Sequence, residues 1–467
     1  MITVSAIVLT ASLVAEATRG RVAAGSPHQV FTAVSTDTRT IVPGALFIAL
    51  RGDRFDGHAF VERAAAGGAG GVVLSEMPTA NLGATAVILV SDTLRALQDL
   101  ARSIRRQAGA RVIAITGSAG KTTTKEVTAE LLSTRYRVFR NRGNLNNHVG
   151  LPMSLLELVD RPDLAVVELG MNHEGEIRTL VGIAEPDVRV WTNVGDAHLG
   201  HFGSREAVAS AKAEILDGAQ SGTLVVSNAD DPLVSGHVRQ SPARQVTFGL
   251  SSHATVRATH VADQGFDGTS AEVQSPYGAL HLSVPLAGQA QLMNVLAATA
   301  VALEFGISCD AIVRGVAAIQ PVARRGAMRA LANGARLVDD SYNASPSAVR
   351  AMLSALAATP VAGRRVAVLG EMLELGSSSR ELHEACGRAA AAAGVNELVV
   401  IGGEAADGLA EGAIAGGLSR TQIHRFADSA SAAGRVQSLV AAGDLVLVKG
   451  SRGTRTDVVV DRLLGVA

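Results

Sequence analysis

The sequence predicts an α/β protein built as three domains in series, and three observations carry that expectation. The chain is 467 residues long, which at roughly 150 residues per domain suits about three. Apolar runs of strand length recur between Ala-rich stretches with helical spacing, the alternation that builds parallel sheets. One of those runs ends in a glycine-rich turn that leads straight into a helix. Hydrophobic residues are 47% of the chain and charged residues 18%, so there is apolar material for sizeable cores and too little charge for a disordered chain. Lys and Arg (42) balance Asp and Glu (43). That balance argues against a nucleic-acid or membrane-surface protein, since either draws on a basic excess. Aromatics are only 3%, so the cores are to be filled with Ala, Val, Leu and Ile. Cys309 and Cys386 are too few for a disulfide framework or a four-thiolate metal site.

Residues 2–15 (ITVSAIVLTASLVA) are apolar enough to resemble the core of a secretory signal, but no Lys or Arg precedes Arg19. They read instead as a first strand and helix, and the chain as cytoplasmic. No other apolar run reaches 18 residues, so no membrane span is expected. ALFIAL (45–50), GGVVLS (70–75) and AVILVS (86–91) are the next strands, and Asp92 opens a helix that ends near Gly109. RVIAIT (111–116), LAVVEL (164–169), VRVWTN (188–193) and TLVVSN (223–228) are unalternating apolar runs, the mark of strands buried on both faces. Between about 245 and 285 the pattern turns to alternation, an antiparallel excursion, and residues 291–305 form an apolar helix. RLVDD (336–340), RVAVLG (365–370), ELVVIG (397–402) and DLVLVKG (444–450) are the strands of a Rossmann-like third unit, without a G-x-G-x-x-G turn. The expected domains are 1–91, 92–322 and 323–467.

The chemistry begins at Gly117-Ser118-Ala119-Gly120-Lys121-Thr122-Thr123. A triphosphate needs a turn whose N–H groups converge on it, and Gly117 and Gly120 permit that conformation. The helix that follows adds roughly half a positive charge at its start. Lys121 would reach the β/γ-phosphates and Thr122 would bind Mg2+. The full pattern places one more glycine where Ile115 stands. Such a loop needs a carboxylate at a neighbouring strand end, and Glu168 closes LAVVEL in the right kind of place. Asn193 ends the next strand and leads to His198, which by itself is open between a structural role and a ligand. Lys212 lies in an otherwise apolar helix, where a single lysine usually snorkels to solvent. These residues alone indicate an enzyme that hydrolyses ATP or GTP or activates a substrate by phosphorylation.

Several motifs then fall into one order. The phosphate loop, Gly143-Asn144-Leu145-Asn146-Asn147, Glu168-Leu169-Gly170-Met171-Asn172 and Asn193-Val194-Gly195…Ala197-His198-Leu199 resemble the Mur ligase family, which builds the peptide of bacterial cell-wall precursors. The resemblance covers essentially the whole chain. It implies a UDP-substrate domain, a central P-loop ATPase domain and a Rossmann-like C-terminal domain. Asp339-Asp340-Ser341-Tyr342-Asn343-Ala344, Leu369-Gly370-Glu371-Met372-Leu373-Glu374-Leu375-Gly376 and Lys449-Gly450-Ser451-Arg452 are similar to members that join D-alanyl-D-alanine to UDP-N-acetylmuramoyl-tripeptide. Members that add the third amino acid carry D-N-P-R there, and this chain does not. They and folylpolyglutamate synthetase are the neighbouring alternatives, and a P-loop regulatory switch is the alternative of another class.

The resemblance also implies residue roles. Lys121 and Thr122 would serve phosphates and the first of two Mg2+ ions, Glu168 the metals and His198 the second ion. Lys212 would be N-carboxylated, giving an oxygen ligand. Asn294, Arg325 and Asp340 would contact nucleotide, Tyr342 would pack near adenine, and Thr38, Arg39, Asn144, Asn146 and Asn147 would contact substrate. ATP would activate a carboxylate as an acyl phosphate for attack by an amine. The partners are small molecules, and a monomer is expected. Two departures stand out. Ala290 and Gln291 replace a His-Asn pair, and Arg324 replaces the glycine before the nucleotide arginine.

Overall fold

The computed structural model describes residues 6–52 and 55–466. The described chain forms two compact units. One takes residues up to Ile115 together with Arg135–Arg189, and the other takes Thr116–Thr134 together with Val190 onward. The fold is α/β, as the run of buried strands predicts.

In the first unit, strands Val34–Ser35, Leu46–Ile48, Gly71–Leu74 and Ala86–Leu89 pair in parallel, and Arg21–Ala24 joins the edge antiparallel. Helix Thr93–Ala108 starts where Asp92 Oδ1 accepts the Arg95 N–H (2.9 Å) and ends at left-handed Gly109. Its buried face is Ala96, Leu97, Leu100, Ala101 and Ile104. Strand Arg111–Thr116 then pairs in parallel with Leu164–Glu168, setting Ile115 opposite Glu168, and Val138–Arg140 pairs on its far side. The expected first strand lies partly on residues 2–5, outside the described residues. From Ala6 to Leu9 the chain forms no strand, and Thr10 caps helix Ala11–Thr18 by accepting the Leu13 N–H.

In the second unit, Leu224–Asn228 and Arg244–Gly249 pair in parallel, followed by the antiparallel set Val256–Asp263, Thr269–Ser275 and Gly278–Val284. Alternate residues of the last two (Ala271 and Val273, Leu280 and Leu282) are buried, which is the alternation the sequence carries. Helix Gly288–Glu304 is buried along most of its length. The C-terminal sheet runs Ala327–Ala330, Arg336–Asp340, Leu445–Lys449, Arg365–Gly370, Glu397–Ile401 and Ile423–Phe426, parallel except at its first strand. The first and last of these are edge strands with exposed polar residues and no apolar run, which hides them from a hydrophobicity reading. Parallel sheets offer ligands the carboxyl ends of their strands. Thr116, Glu168, Asp340 and Lys449 all end strands of that kind. No helix among the described residues is long and apolar enough to cross a membrane.

Candidate active site

The glycine-rich turn is locked by a neighbouring strand end. Ser118 N–H donates to the Asn193 carbonyl (3.0 Å), Ala119 N–H donates to Asn193 Oδ1 (2.9 Å), and Asn193 Nδ2 donates back to the Ala119 carbonyl (3.1 Å). Thr192 Oγ1 donates to the same carbonyl (2.8 Å). Gly117 can sit this close only without a side chain, because a Cβ there would fall 1.9 Å from Thr192 Oγ1. Lys121 opens helix Lys121–Ser133, whose first N–H groups have no partner within the helix. Its Nζ donates to the Gly117 carbonyl (2.7 Å), which folds the cation back over the loop. Thr122 and Thr123 follow in the first turn, both buried.

Asn294 and its neighbour Gln291 reach this loop from helix Gly288–Glu304. Asn294 Oδ1 lies against Gly120 and accepts from Thr124 Oγ1 (3.4 Å), while Asn294 Nδ2 donates to Gln291 Oε1 (2.8 Å). Gln291 thus orients the Asn294 amide. One turn away opens a cavity of about 750 Å3, bounded by Asn228, Asp231, Gly288, Gln289, Met293 and Ala351 among others.

His198 stands at the start of helix Leu199–Phe202 in a left-handed conformation (φ 65°). Burial pushes its pKa below the usual imidazole value and neighbouring Lys121 adds to this, against an opposing pull from Glu374. The ring is therefore neutral near pH 7. Its Nδ1 is hydrogen-bonded to Glu374 Oε2 (2.7 Å), so the hydrogen-bond network places the proton on Nδ1 and a lone pair on Nε2. Lys212 is 2% exposed. The snorkelling expected of a lone helix lysine is overturned, because Lys212 shares the buried face of helix Arg205–Ala213 with Val208, Ala209 and Ala211.

At the C-terminal sheet, Lys449 Nζ donates to Asp340 Oδ2 and to the Asn343 carbonyl. Burial raises the Asp340 pKa, while Lys449 and Arg325 oppose it. The Arg325 guanidinium lies over the Tyr342 ring, 4.2 Å from its centre. Arg324, in a left-handed conformation (φ 61°), turns the other way and pairs with Asp457 (2.6 Å) and Asp461 (3.4 Å).

In the first unit, Glu168 is 4% exposed and accepts from Asn146 Nδ2 (2.7 Å), while its N–H donates to Asn141 Oδ1 (3.1 Å). Asn147 Oδ1 accepts the Gly150 N–H (2.7 Å) ahead of helix Gly150–Leu155, and the Asn146 N–H donates to the carbonyl of exposed Asn144 (2.8 Å). Arg39 is held bidentately by Asp37 beside Thr38, and that guanidinium draws the Asp37 carboxyl down to about 2. Asn193, Glu374 and Lys449 carry more of the geometry than their sequence context signals. Only Asn193, the last residue of a strand-length run, could be singled out from sequence.

No group of three or more His, Cys, Asp or Glu among the described residues is gathered to hold a metal. Mg2+ usually keeps waters and takes one or two protein ligands alongside substrate phosphates. Within the second unit, a neutral imidazole with Nε2 unprotonated and a threonine hydroxyl in the first helical turn suit such a partial ligand set.

Comparison with known proteins supplies the context. Residues 115–302 match the model of the Mur ligase middle domain, residues 324–452 that of the Mur ligase glutamate ligase domain, and residues 30–105 that of the Mur ligase family catalytic domain. UDP-N-acetylmuramoyl-tripeptide–D-alanyl-D-alanine ligase of Bacillus subtilis (strain 168) is 34% identical over 97% of this chain and 98% of its own. The enzyme of that name from Escherichia coli (strain K12) is 38% identical over 92% of this chain and 93% of its own. A crystal structure of MurF from Acinetobacter baumannii superposes with a TM-score of 0.89 at 32% identity, covering 99% of this chain and all (100%) of that one. The Thermotoga maritima MurF ligase in complex with ADP gives 0.81 at 29% identity, covering 93% and 97%.

Proposed function

This chain belongs to the Mur ligase family, and we infer from that premise and from its site that it is an ATP-dependent ligase joining D-alanyl-D-alanine to UDP-N-acetylmuramoyl-tripeptide. The observation that carries the reading is the phosphate loop, pinned by Asn193, with Lys121 folded over it and His198 and Lys212 close by. The domain roles follow the family: a UDP-substrate domain over 1–91, a P-loop domain over 92–322 and a Rossmann-like domain over 323–467.

Joining a carboxylate to an amine is uphill in water, so the carboxylate has to be activated. The tripeptide's terminal carboxylate oxygen attacks the γ-phosphorus of ATP, the bond to the bridging oxygen breaks, and ADP leaves with an acyl phosphate remaining. The dipeptide amine then attacks the acyl carbon, loses a proton and expels phosphate as the amide forms. Lys121 and the first N–H groups of helix Lys121–Ser133 neutralise charge on the transferring phosphoryl group. Mg2+, held by Thr122, His198 and Lys212 and assigned to Glu168 by its motif, would supply further charge neutralisation when bound. Lys212 is read as N-carboxylated. Carbamate forms from an unprotonated amine, and burial is the usual means of keeping one.

The cavity beside Gln289 and Met293 is read as the place of the adenine, with Asn294 serving the nucleotide beside the phosphate loop and Arg325, Tyr342 and Asp340 serving it from the C-terminal domain. Thr38, Arg39, Asn144, Asn146 and Asn147 serve the UDP-sugar peptide, Asn147 through its amide nitrogen. The protein is read as a cytoplasmic monomer acting on small molecules, with no nucleic acid or membrane partner. Phosphate release from ATP tests the reading. It is expected to require both the UDP-tripeptide and D-alanyl-D-alanine. Dependence on diaminopimelate, lysine or glutamate instead would assign the chain to a sister ligase, and release without any acceptor would favour a regulatory nucleotide switch.

A further inference from the structure

We propose that Glu374 is a positioning residue for His198: a carboxylate from the C-terminal segment that sets the orientation and tautomer of the imidazole, and so the strength with which Nε2 takes a divalent cation. The proposal rests on the reading of His198 as a metal ligand.

Glu374 grips its partner twice. Its Oε2 accepts from His198 Nδ1 (2.7 Å), and its backbone carbonyl accepts the Gly200 N–H (2.9 Å). The two segments meet through glycines, since a Cβ on Gly200 would fall 2.8 Å from both the Glu374 carbonyl oxygen and Gly376 N. Gly376 is left-handed (φ +60°), and a Cβ there would fall 2.8 Å from Gly200 Cα. A substituent on either residue would push the carboxylate away from the ring.

The backbone at Glu374 is itself unusual, with φ 65°. A bulky residue keeps that conformation only where its surroundings impose it. Here the preceding residues are tied on every side. Glu371 N–H donates to the Ile401 carbonyl (2.8 Å) and Glu371 Oε2 accepts the Gly403 N–H (2.9 Å). Met372 N–H donates to buried His383 Nε2 (2.9 Å), and Leu373 N–H donates to Ser451 Oγ (3.0 Å). The histidine's own loop is clamped from the same side, because Arg350 donates to Asp196 Oδ2 (2.9 Å) two residues before His198. A carboxylate on the far nitrogen of a metal-binding imidazole raises its basicity and fixes its direction, and losing such a partner typically costs 10–100-fold in metal affinity or activity.

Mn2+ binding to the ADP-loaded chain, read from the electron paramagnetic resonance of the free ion, tests this without turnover. Glu374→Ala should weaken Mn2+ by about 10–100-fold, with metal-free ADP affinity unchanged. Glu374→Gln, which keeps an oxygen for Nδ1–H, should weaken it less and serves as the readout if the alanine variant does not fold. His198→Ala is the control. If His198→Ala weakens Mn2+ while both Glu374 variants bind it as the parent does, the proposal is overturned, even where their thermal midpoints fall. If His198→Ala leaves Mn2+ binding unchanged, the metal assignment of His198 is what fails, and the proposal falls with it.

Discussion

Asn294 occupies the space that a side chain on Gly120 would need, since a Cβ built there would lie 2.0 Å from Asn294 Oδ1. Gly120 is also left-handed (φ +83°). The phosphate loop and helix Gly288–Glu304 are thus fitted to one another as well as to a nucleotide. Gly120→Ala should cost about 1–2 kcal/mol for the backbone and a further ~1–3 kcal/mol for the overlap. Urea unfolding followed in the single variant and in Gly120→Ala with Asn294→Ala checks this. The double variant should recover much of the second loss, because the two sites share one volume.

Lys212 has a sharper test than simple loss of function. Lys212→Ala should lose ligation, and short carboxylates such as acetate or formate should restore part of it by standing in for a carbamate oxygen. Full activity in the alanine variant would remove Lys212 from the site altogether.

The paired arginines should separate cleanly. Arg325 stacks on Tyr342 and is proposed to serve the nucleotide, whereas Arg324 is tied to Asp457 and Asp461 on helix Asp457–Leu464. Arg325→Ala is expected to raise the ADP dissociation constant about tenfold at nearly unchanged stability, as the loss of one charge-assisted contact suggests. Arg324→Ala should lower the unfolding midpoint and leave ADP affinity within about twofold, since an ion-pair partner left unpaired costs stability first. Calorimetric titration and urea unfolding of both variants distinguish the two.

His383 makes stability fall in acid. It is fully buried (0% exposed), its Nδ1–H donates to the Ser379 carbonyl and its Nε2 accepts the Met372 N–H, so a second ring proton would meet a donor. Burial therefore pushes its pKa below 6.5, against smaller upward pulls from the Ser379 carbonyl and Glu371. The unfolded chain takes up this proton near pH 6.5 while the folded chain refuses it, so stability is whole above that pH. It declines below it, at most by about 1.4 kcal/mol per pH unit. Urea midpoints measured from neutral pH downward should fall more steeply for the parent than for His383→Gln.

Much of this was legible in the sequence where the chemistry is local. The phosphate loop shows itself because strand, glycine turn and helix are contiguous, and the buried parallel strands because burial on both faces leaves an unbroken apolar run. The edge strand Ile423–Phe426 carries no such run. Glu374 was invisible as a partner for His198 because 176 residues separate them and a loop glutamate has no periodicity. The burial of Lys212 is not legible from its helix alone, since a lone lysine among alanines reads as solvated, and only the family resemblance placed it at the site. The choice between Arg324 and Arg325 turns on a left-handed backbone at Arg324, which residue type does not announce.

If the phosphate loop drives acyl-phosphate chemistry, the path of one carboxylate oxygen reveals it. UDP-N-acetylmuramoyl-tripeptide carrying heavy oxygen in its terminal carboxylate is incubated with ATP, Mg2+, D-alanyl-D-alanine and the protein. One heavy oxygen is expected in each phosphate released, with amide formed in equal amount. Phosphate released without the label, its new oxygen drawn from water, would contradict it.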